Sequence, residues 1–534
     1  MTQTRPRPLP LATPLAGGLL LLVLTPALIW PLARAAFEVA RGLAAPDHAD
    51  LPAAAPIAMA TGRSLLAAVG IALLATLAAA PAARLIARGR ARWAPLLFTP
   101  MLMPSYLAYA GWGLARAPGS ALGDALERAA ASGARWAPVL TGRSLAILAL
   151  ALWAFPLASI VLGASIARRD PALDDLLRLD APSPLARLRV ALALHRSALL
   201  SSVALITLVM LGSSVPLHLA QIDTLAIVIW RELSESPRDA WWRAWVSATP
   251  LLLFALLGAW VIGARLVRAA HAPRNDPPRD DAHRAPSLRV ITLAVLVWLL
   301  AVGGPLLLFA LSIRSPDSLW RFWRLSAAGV AHTLLGALAV TLLTLLIALA
   351  LSLILSTGSR AGARFSVFIV RLLLLGALAP GVLIGAALVE AFPRLDPAAL
   401  PPLAGVARFG FLGAVGACLG AWSEPPERRD ARRLTAVGPR AWALACLPPQ
   451  APLLLGLSLA AGLMSLHEIE ASVIVQPPGR ASLAQQILGY LHFSRMEDMS
   501  AAGLWLVGGG VVLASCSVAL IALTFRIRAR SVQP

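Results

Sequence analysis

The stretch from Arg168 to Ser201, RRDPALDDLLRLDAPSPLARLRVALALHRSALLS, decides how the rest of the chain is read. It is a polar, arginine-rich helical segment wedged between two long apolar runs. A second such segment runs from Glu424 to Leu453, EPPERRDARRLTAVGPRAWALACLPPQAPL. Two charged segments at matching places in two hydrophobic halves suggest a duplicated membrane protein. Each half then presents one docking loop on the same side of the membrane.

Composition sets the class. The 534 residues are 58% hydrophobic and only 13% charged, against about 25% charged in soluble proteins. The shortfall is concentrated in apolar runs of about 20 residues, the length that spans a hydrocarbon core. A net charge of +20 would also suit a nucleic-acid binder. The arginines, however, cluster just outside the apolar runs, as the positive-inside rule expects. The expected partner is therefore membrane lipid, not nucleic acid. There is no lysine, and Cys418, Cys446 and Cys516 are scattered, without metal spacing or a disulfide framework. No Ser-His-Asp set, metal-ligand spacing or catalytic carboxylate pair is present, so the expectation is a non-enzyme with no metal.

Alternating apolar runs and arginine-rich turns predict twelve spans, near 15–36, 59–86, 94–114, 144–167, 198–219, 246–267, 290–313, 331–355, 365–390, 406–422, 453–475 and 501–525. Both termini then lie on the cytoplasmic side, with the turn ARGRAR, Ala87 to Arg92. So does the linker HAPRNDPPRDDAHRAPS, His271 to Ser287, whose prolines and mixed charges preclude a span. The polar stretches 221–244 and 476–499 fall outside. The expected fold is an all-α polytopic membrane protein built as two tandem six-helix halves, 1–270 and 289–534, joined by a linker at 271–288. The run Arg63-Ser64-Leu65-Leu66-Ala67 matches His332-Thr333-Leu334-Leu335-Gly336 at an offset of 269, which also carries Gly89 onto Gly358. Parallel repeats of this kind usually place a substrate path between the halves.

The polar segments 168–196 and 424–450 resemble the EAA loop of ABC importer permeases: Glu-Ala-Ala, a glycine, then hydrophobic residues and Leu-Pro. In the first, Asp174 stands on the glutamate with Asp175 beside it, and Asp180 stands on the glycine with Ala181 next. Val190 and Leu192 take the hydrophobic pair and Ala193 the proline. In the second, Asp430-Ala431 opens the motif, Gly438 stands near the glycine, and Leu447-Pro448 closes it. Residues 465–502 resemble the region after the second loop in the ferric-iron branch. The matching residues are Ser465-Leu466, Glu468, Pro477-Pro478-Gly479, Leu491-His492-Phe493 and Glu497-Asp498. The first half carries a fainter version, Ser213-Ser214-Val215-Pro216.

This resemblance implies a type I importer permease of the ferric-iron and thiamine kind, with both halves in one chain, in a bacterial inner membrane. The solute would be iron(III) or a similar small solute, delivered by a periplasmic or extracellular binding protein. Two copies of a separate ABC ATPase would dock on the two loops. The chain has no Gly-x-x-x-x-Gly-Lys-Ser/Thr phosphate loop, so no cofactor is expected in it and ATP would be bound by the partner. Arginines such as Arg168, Arg169, Arg428 and Arg432 would face acidic groups of the ATPase, or serve only the positive-inside bias.

Ionisable groups at membrane depth are rare and often functional. The candidates are His332, Glu390, His467, Glu468 and Glu470, with Glu390 at the outer edge. The residues expected along a path are Ser213, Ser214, Ser465, His467 and Glu468. On a continuous helix Glu468 and Glu470 sit about 200° apart, so at most one faces a path. The plainer reading is that they cap a helix or pair with an arginine of another span. A secondary transporter would share the twelve-span, two-half plan, but it would need buried acids in several helices and no docking loops. A membrane-embedded enzyme or assembly protein would need clustered polar residues within its spans.

Overall fold

The computed structural model describes residues 12–44, 51–88, 97–167, 183–271, 287–436, 438–477 and 479–530. Asp174, Asp175, Asp180, Ala181, Gly89, Arg168, Arg169, Pro478 and nearly all of the linker lie outside the described residues. Among the described residues the chain is entirely helical, with no strand.

The principal helices are α1 (Pro14–Ala44), α2 (Ala54–Ala87), α3 (Ser105–Gly113), α4 (Trp136–Ala167), α5 (Pro184–Leu211), α6 (Leu225–Glu235) and α7 (Thr249–His271). They continue with α8 (Leu288–Ser312), α9 (Asp317–Ser356), α10 (Arg360–Leu378), α11 (Gly381–Ala391), α12 (Leu400–Phe409) and α13 (Phe411–Trp422). The last are α14 (Pro426–Thr435), α15 (Pro439–Cys446), α16 (Ala451–Ser465), α17 (Leu483–His492) and α18 (Met496–Arg530).

Eight of these are long and apolar enough to cross a membrane. The count is ten if α12 with α13, bent by 41°, and α15 with α16, bent by 77°, each form one span. The chain is thus an all-helical, multi-pass membrane protein.

Several expected spans are interrupted, and each interruption has a local cause. The third breaks at Met103-Pro104 and the ninth at Ala379-Pro380. In both, the proline starts the next helix from an extended backbone, with φ −52 and ψ 135 at Pro104 and φ −52 and ψ 129 at Pro380. Proline tolerates that position because it has no N–H to place in the preceding turn. The eleventh stops at Ser465, short of its expected end. The stretches 221–244 and 476–499, expected outside, are not plain loops. They carry the amphipathic helices α6 and α17, which bury Leu225, Ile229 and Leu233, and Leu483 and Ile487.

Three local geometries recur in the chain. First, α1 holds a π-helical turn at Thr25–Ile29 just before Pro31, and α8 holds one at Leu299–Gly303 just before Pro305. Widening the turn relieves the clash between a proline ring and the carbonyl behind it. Second, the Ser64 hydroxyl donates to Ala60 O at 2.8 Å and accepts the Leu225 amide at 2.8 Å. Thr333 does the same with Gly329 O at 2.7 Å and the Leu483 amide at 3.0 Å. Each hydroxyl catches the first amide of a short amphipathic helix, α6 or α17, which has no partner within its own helix. Third, the carbonyl before each helix-starting proline takes a side-chain donor from a later helix: Trp153 Nε1 to Met103 O at 2.7 Å, and Arg408 Nη1 to Ala379 O at 2.6 Å.

Packing follows the rules of the bilayer. The buried face of α2 is built largely of small residues at helical spacing, including Ala60, Ser64, Ala67, Ile71, Ala75, Ala79 and Ala82. Small residues let helices approach closely where lipid supplies no hydrophobic drive. Leu66, Leu73 and Leu77 lie on the opposite, exposed face. The first helices cross over: Leu20, Leu24 and Leu28 of α1 share a core with Ile347 and Ile354 of α9. Ala301 and Phe309 of α8 share one with Ile71 and Phe155 of α2 and α4.

Candidate functional site

Three helix breaks converge at the seam between residues before and after the linker. They follow the ends of α5, α10 and α16. Glycines permit the approach. A Cβ on Gly381 would stand 2.6 Å from Glu470 Cβ, and one on Gly212 would stand 3.3 Å from Leu378 O.

Residues 466–471, between α16 and the short turn Ser472–Val475, are not helical, so the 200° separation expected for Glu468 and Glu470 does not apply. The two carboxylates serve different partners. Glu468 caps the next turn, accepting the amides of Ala471 at 2.8 Å and Ser472 at 2.9 Å. Glu470 reaches across the seam, where its Oε1 accepts the Ser214 amide at 2.6 Å and the Ser214 hydroxyl at 3.1 Å. Its Oε2 lies 3.5 Å from Arg408 Nη2. Arg408 Nη1 donates to Ala377 O at 3.0 Å and Ala379 O at 2.6 Å. Both side chains are largely buried, 14% exposed for Arg408 and 10% for Glu470. One ion pair therefore ties the break after α10 to the breaks after α5 and α16.

Of the residues expected along a path, Ser214 is buried in this junction and Ser213 is half-buried beside it. Ser465 and Glu468 line an adjoining cavity of about 310 Å³, together with His332, Thr333, Gln476 and Arg480. His467 does not line it, and its Nε2 is buried without a hydrogen-bond partner among the described residues. Glu390 sits at the end of α11, away from the junction and near Arg34 and Glu38 of α1. Arg408 escaped the sequence reading. Its signal was there, as the one charged residue in the apolar run of the expected tenth span.

The second polar segment forms an arm. α14 and α15 meet at Gly438, whose φ of +87 and ψ of 164 belong to a region essentially restricted to glycine. Asp430, Ala431, Gly438 and Pro448 are exposed and Leu447 is half-buried. Leu434 and Leu444 are also exposed, at 76% and 64%.

The base of the arm is fixed. Buried Arg432 holds Glu424 through both carboxylate oxygens and donates to Ser356 O at 3.2 Å. Trp442, under the Arg432 guanidinium, donates to Ser356 Oγ at 2.8 Å. Ser352 Oγ donates to Gln450 Oε1 at 2.6 Å. The arm is thereby clamped to the end of α9. A buried charged pair hydrogen-bonded through both terminal guanidinium nitrogens resists bending better than apolar contact alone.

In the first segment, Val190 and Leu192 are exposed on α5, which runs unbroken through Ala193. His195 Nδ1 lies 3.2 Å from Ser165 Oγ of α4. Outside the spans, Glu497 accepts the amides of Ser315 at 3.0 Å and Arg314 at 3.1 Å, and the Ser315 amide leads in holding its carboxyl below the usual range. Asp498 pairs with Arg495 at 2.8 Å. No family model matches the chain, and no curated protein or solved structure matches it.

Proposed function

We propose that this chain is the membrane-spanning permease of an ABC-type importer, two six-helix halves in one polypeptide. It would move a small solute, iron(III) or a related one, through the bacterial inner membrane from an external binding protein. A separate ATPase, in two copies, docks on the segments 168–196 and 424–450. ATP is held by that partner, and both termini are cytoplasmic.

The observation that carries this reading is the arm α14–α15. An exposed face bearing Asp430, Ala431 and Leu434 shares its helix with buried Arg432, which pairs with Glu424 and donates to Ser356 O at the end of α9. A push on such a face is transmitted to a span as a rigid body, which is how a packed protein switches between two arrangements. The three recurring geometries favour a duplicated origin, since each repeats in chain order. The junction at Glu470 lies where parallel repeats usually place a path.

The test replaces Asp430 through Leu434 with a glycine-serine run and measures ATP-dependent uptake in cells or proteoliposomes. Uptake should vanish while the protein still inserts and the variant loses its ATPase partner on gentle purification. Undiminished ATP-dependent uptake would sink the assignment. The buried group of Arg408, Glu468 and Glu470 favours a second reading, a secondary transporter driven by an ion gradient. Purification without any ATPase, combined with uptake that follows the proton gradient, would select it.

A further inference from the structure

On the arginine-rich side of the membrane, α7 and α10 part to leave a cleft of about 550 Å³, lined by Arg268, His271, Arg364 and Arg371 with Val267 and Val367. Arg371 lies about two turns deeper than Arg364 on the same helix. Its Cγ would be 2.8 Å from a Cβ at Gly263, so only the missing side chain there gives it room. Its guanidinium stacks on Trp260, 3.4 Å from the ring centroid, and donates to Trp260 O at 3.4 Å. Among the described residues, Arg268 donates to Ala264 O of its own helix, at 3.0 Å. No carboxylate among the described residues pairs with Arg268, Arg364 or Arg371.

Three guanidinium groups converging without an acid among the described residues are costly next to hydrocarbon. They suit one ligand chemistry, a phosphate oxyanion, which guanidinium binds through paired hydrogen bonds. The surroundings name the source. Trp260, Leu256 and Phe368 stand exposed at 59%, 51% and 53% on the same two helices, an apolar wall fit for acyl chains. Basic pockets between spans on the cytoplasmic side hold acidic phospholipid headgroups.

We infer that this cleft binds an anionic phospholipid of the cytoplasmic leaflet, its phosphate on Arg268 and Arg364 with Arg371 beneath, and its chains along α7 and α10. The lipid bridges helices from before and after the linker and so strengthens the seam. This inference does not depend on the importer reading.

The test uses the full chain in mild detergent and counts bound phosphatidylglycerol against phosphatidylcholine by native mass spectrometry. Wild type should retain phosphatidylglycerol selectively, and millimolar inorganic phosphate should not displace it. Arg364→Gln should weaken retention about fivefold, and Arg364→Gln with Arg371→Gln about twenty-fivefold, from about 1 kcal/mol per arginine near the headgroups. Equal retention by monodisperse double variant would overturn the site. Displacement by inorganic phosphate would overturn the lipid in favour of a soluble anion. Should the double variant fail to fold, Arg364→Gln decides alone, because that side chain is exposed and makes no bond among the described residues.

Discussion

The breaks before Pro104 and Pro380 are built alike and held differently. The carbonyl of Met103 takes a hydrogen bond from the neutral indole of Trp153, whereas that of Ala379 takes one from the guanidinium of Arg408. An indole needs nothing further. A guanidinium in a buried place needs a counter-charge, and Glu470 supplies it. Glu470 then uses its other oxygen to hold Ser214 across the seam. The same backbone device is thus a closed local contact near α4 and a bridge between distant parts of the chain near α12. The difference puts a buried ion pair at the second break and none at the first.

The largest effect should come from breaking that bridge. Arg408→Ala leaves the Glu470 carboxylate buried without its partner, which should cost about 3–5 kcal/mol. Trp153→Phe removes one neutral hydrogen bond and should cost only about 1 kcal/mol. Denaturation of the purified protein in mixed detergent reads both. The pair Arg408→Trp with Glu470→Ser imitates the first break and should recover most of the loss. A double variant no more stable than Arg408→Ala would show that the charge is not what distinguishes the two breaks.

The next effect tests where the chain is alike. Ser64→Ala leaves the buried Leu225 amide without an acceptor and should cost about 2 kcal/mol, within the usual penalty for such a group. Thr333→Val does the same to Leu483, but that site is partly exposed and water can substitute, so about 1 kcal/mol is expected. Amide exchange at Leu225 and Leu483 checks each locally. Protection unchanged in both would mean that α6 and α17 are held by apolar burial alone.

How far the sequence could be read follows from the same residues. Hydropathy locates the helices because span length is set by the bilayer, and the Ser64 and Thr333 runs look alike because both hydroxyls do one job. The breaks were hidden because Pro104 and Pro380 sit inside apolar runs. A hydropathy window weighs composition and is blind to a single extended ψ. Glu470 was visible as an acid at depth, but its partner is 62 residues away and Ser214 is 256 away. Only the fold brings them together. The arm was legible as a polar segment through Asp430 and Leu447-Pro448. Its clamp was not, since Arg432 is one of several arginines there and nothing local singles out the one that turns inward to Glu424.

The smallest effect on stability should carry the clearest contrast between the two polar segments. Leu434→Ser removes an apolar side chain that is already 76% exposed, so folding should change by no more than about 0.5 kcal/mol. On the proposed function, that leucine lies in the ATPase interface. Losing its burial there, about 1.5–3 kcal/mol, should cut partner affinity about tenfold or more. Leu192→Ser is the comparison on α5, at the closing end of the first segment, where exposure is 48% and the helix is unbroken. An arm standing off a 77° bend can present its face to a groove from more than one side, whereas a straight helix offers only one. The loss at Leu192 should therefore be smaller, and pull-down of the ATPase by each variant measures the ratio. Equal losses would mean that the bend contributes nothing to docking, and a larger loss at Leu192 would make the first segment the principal contact.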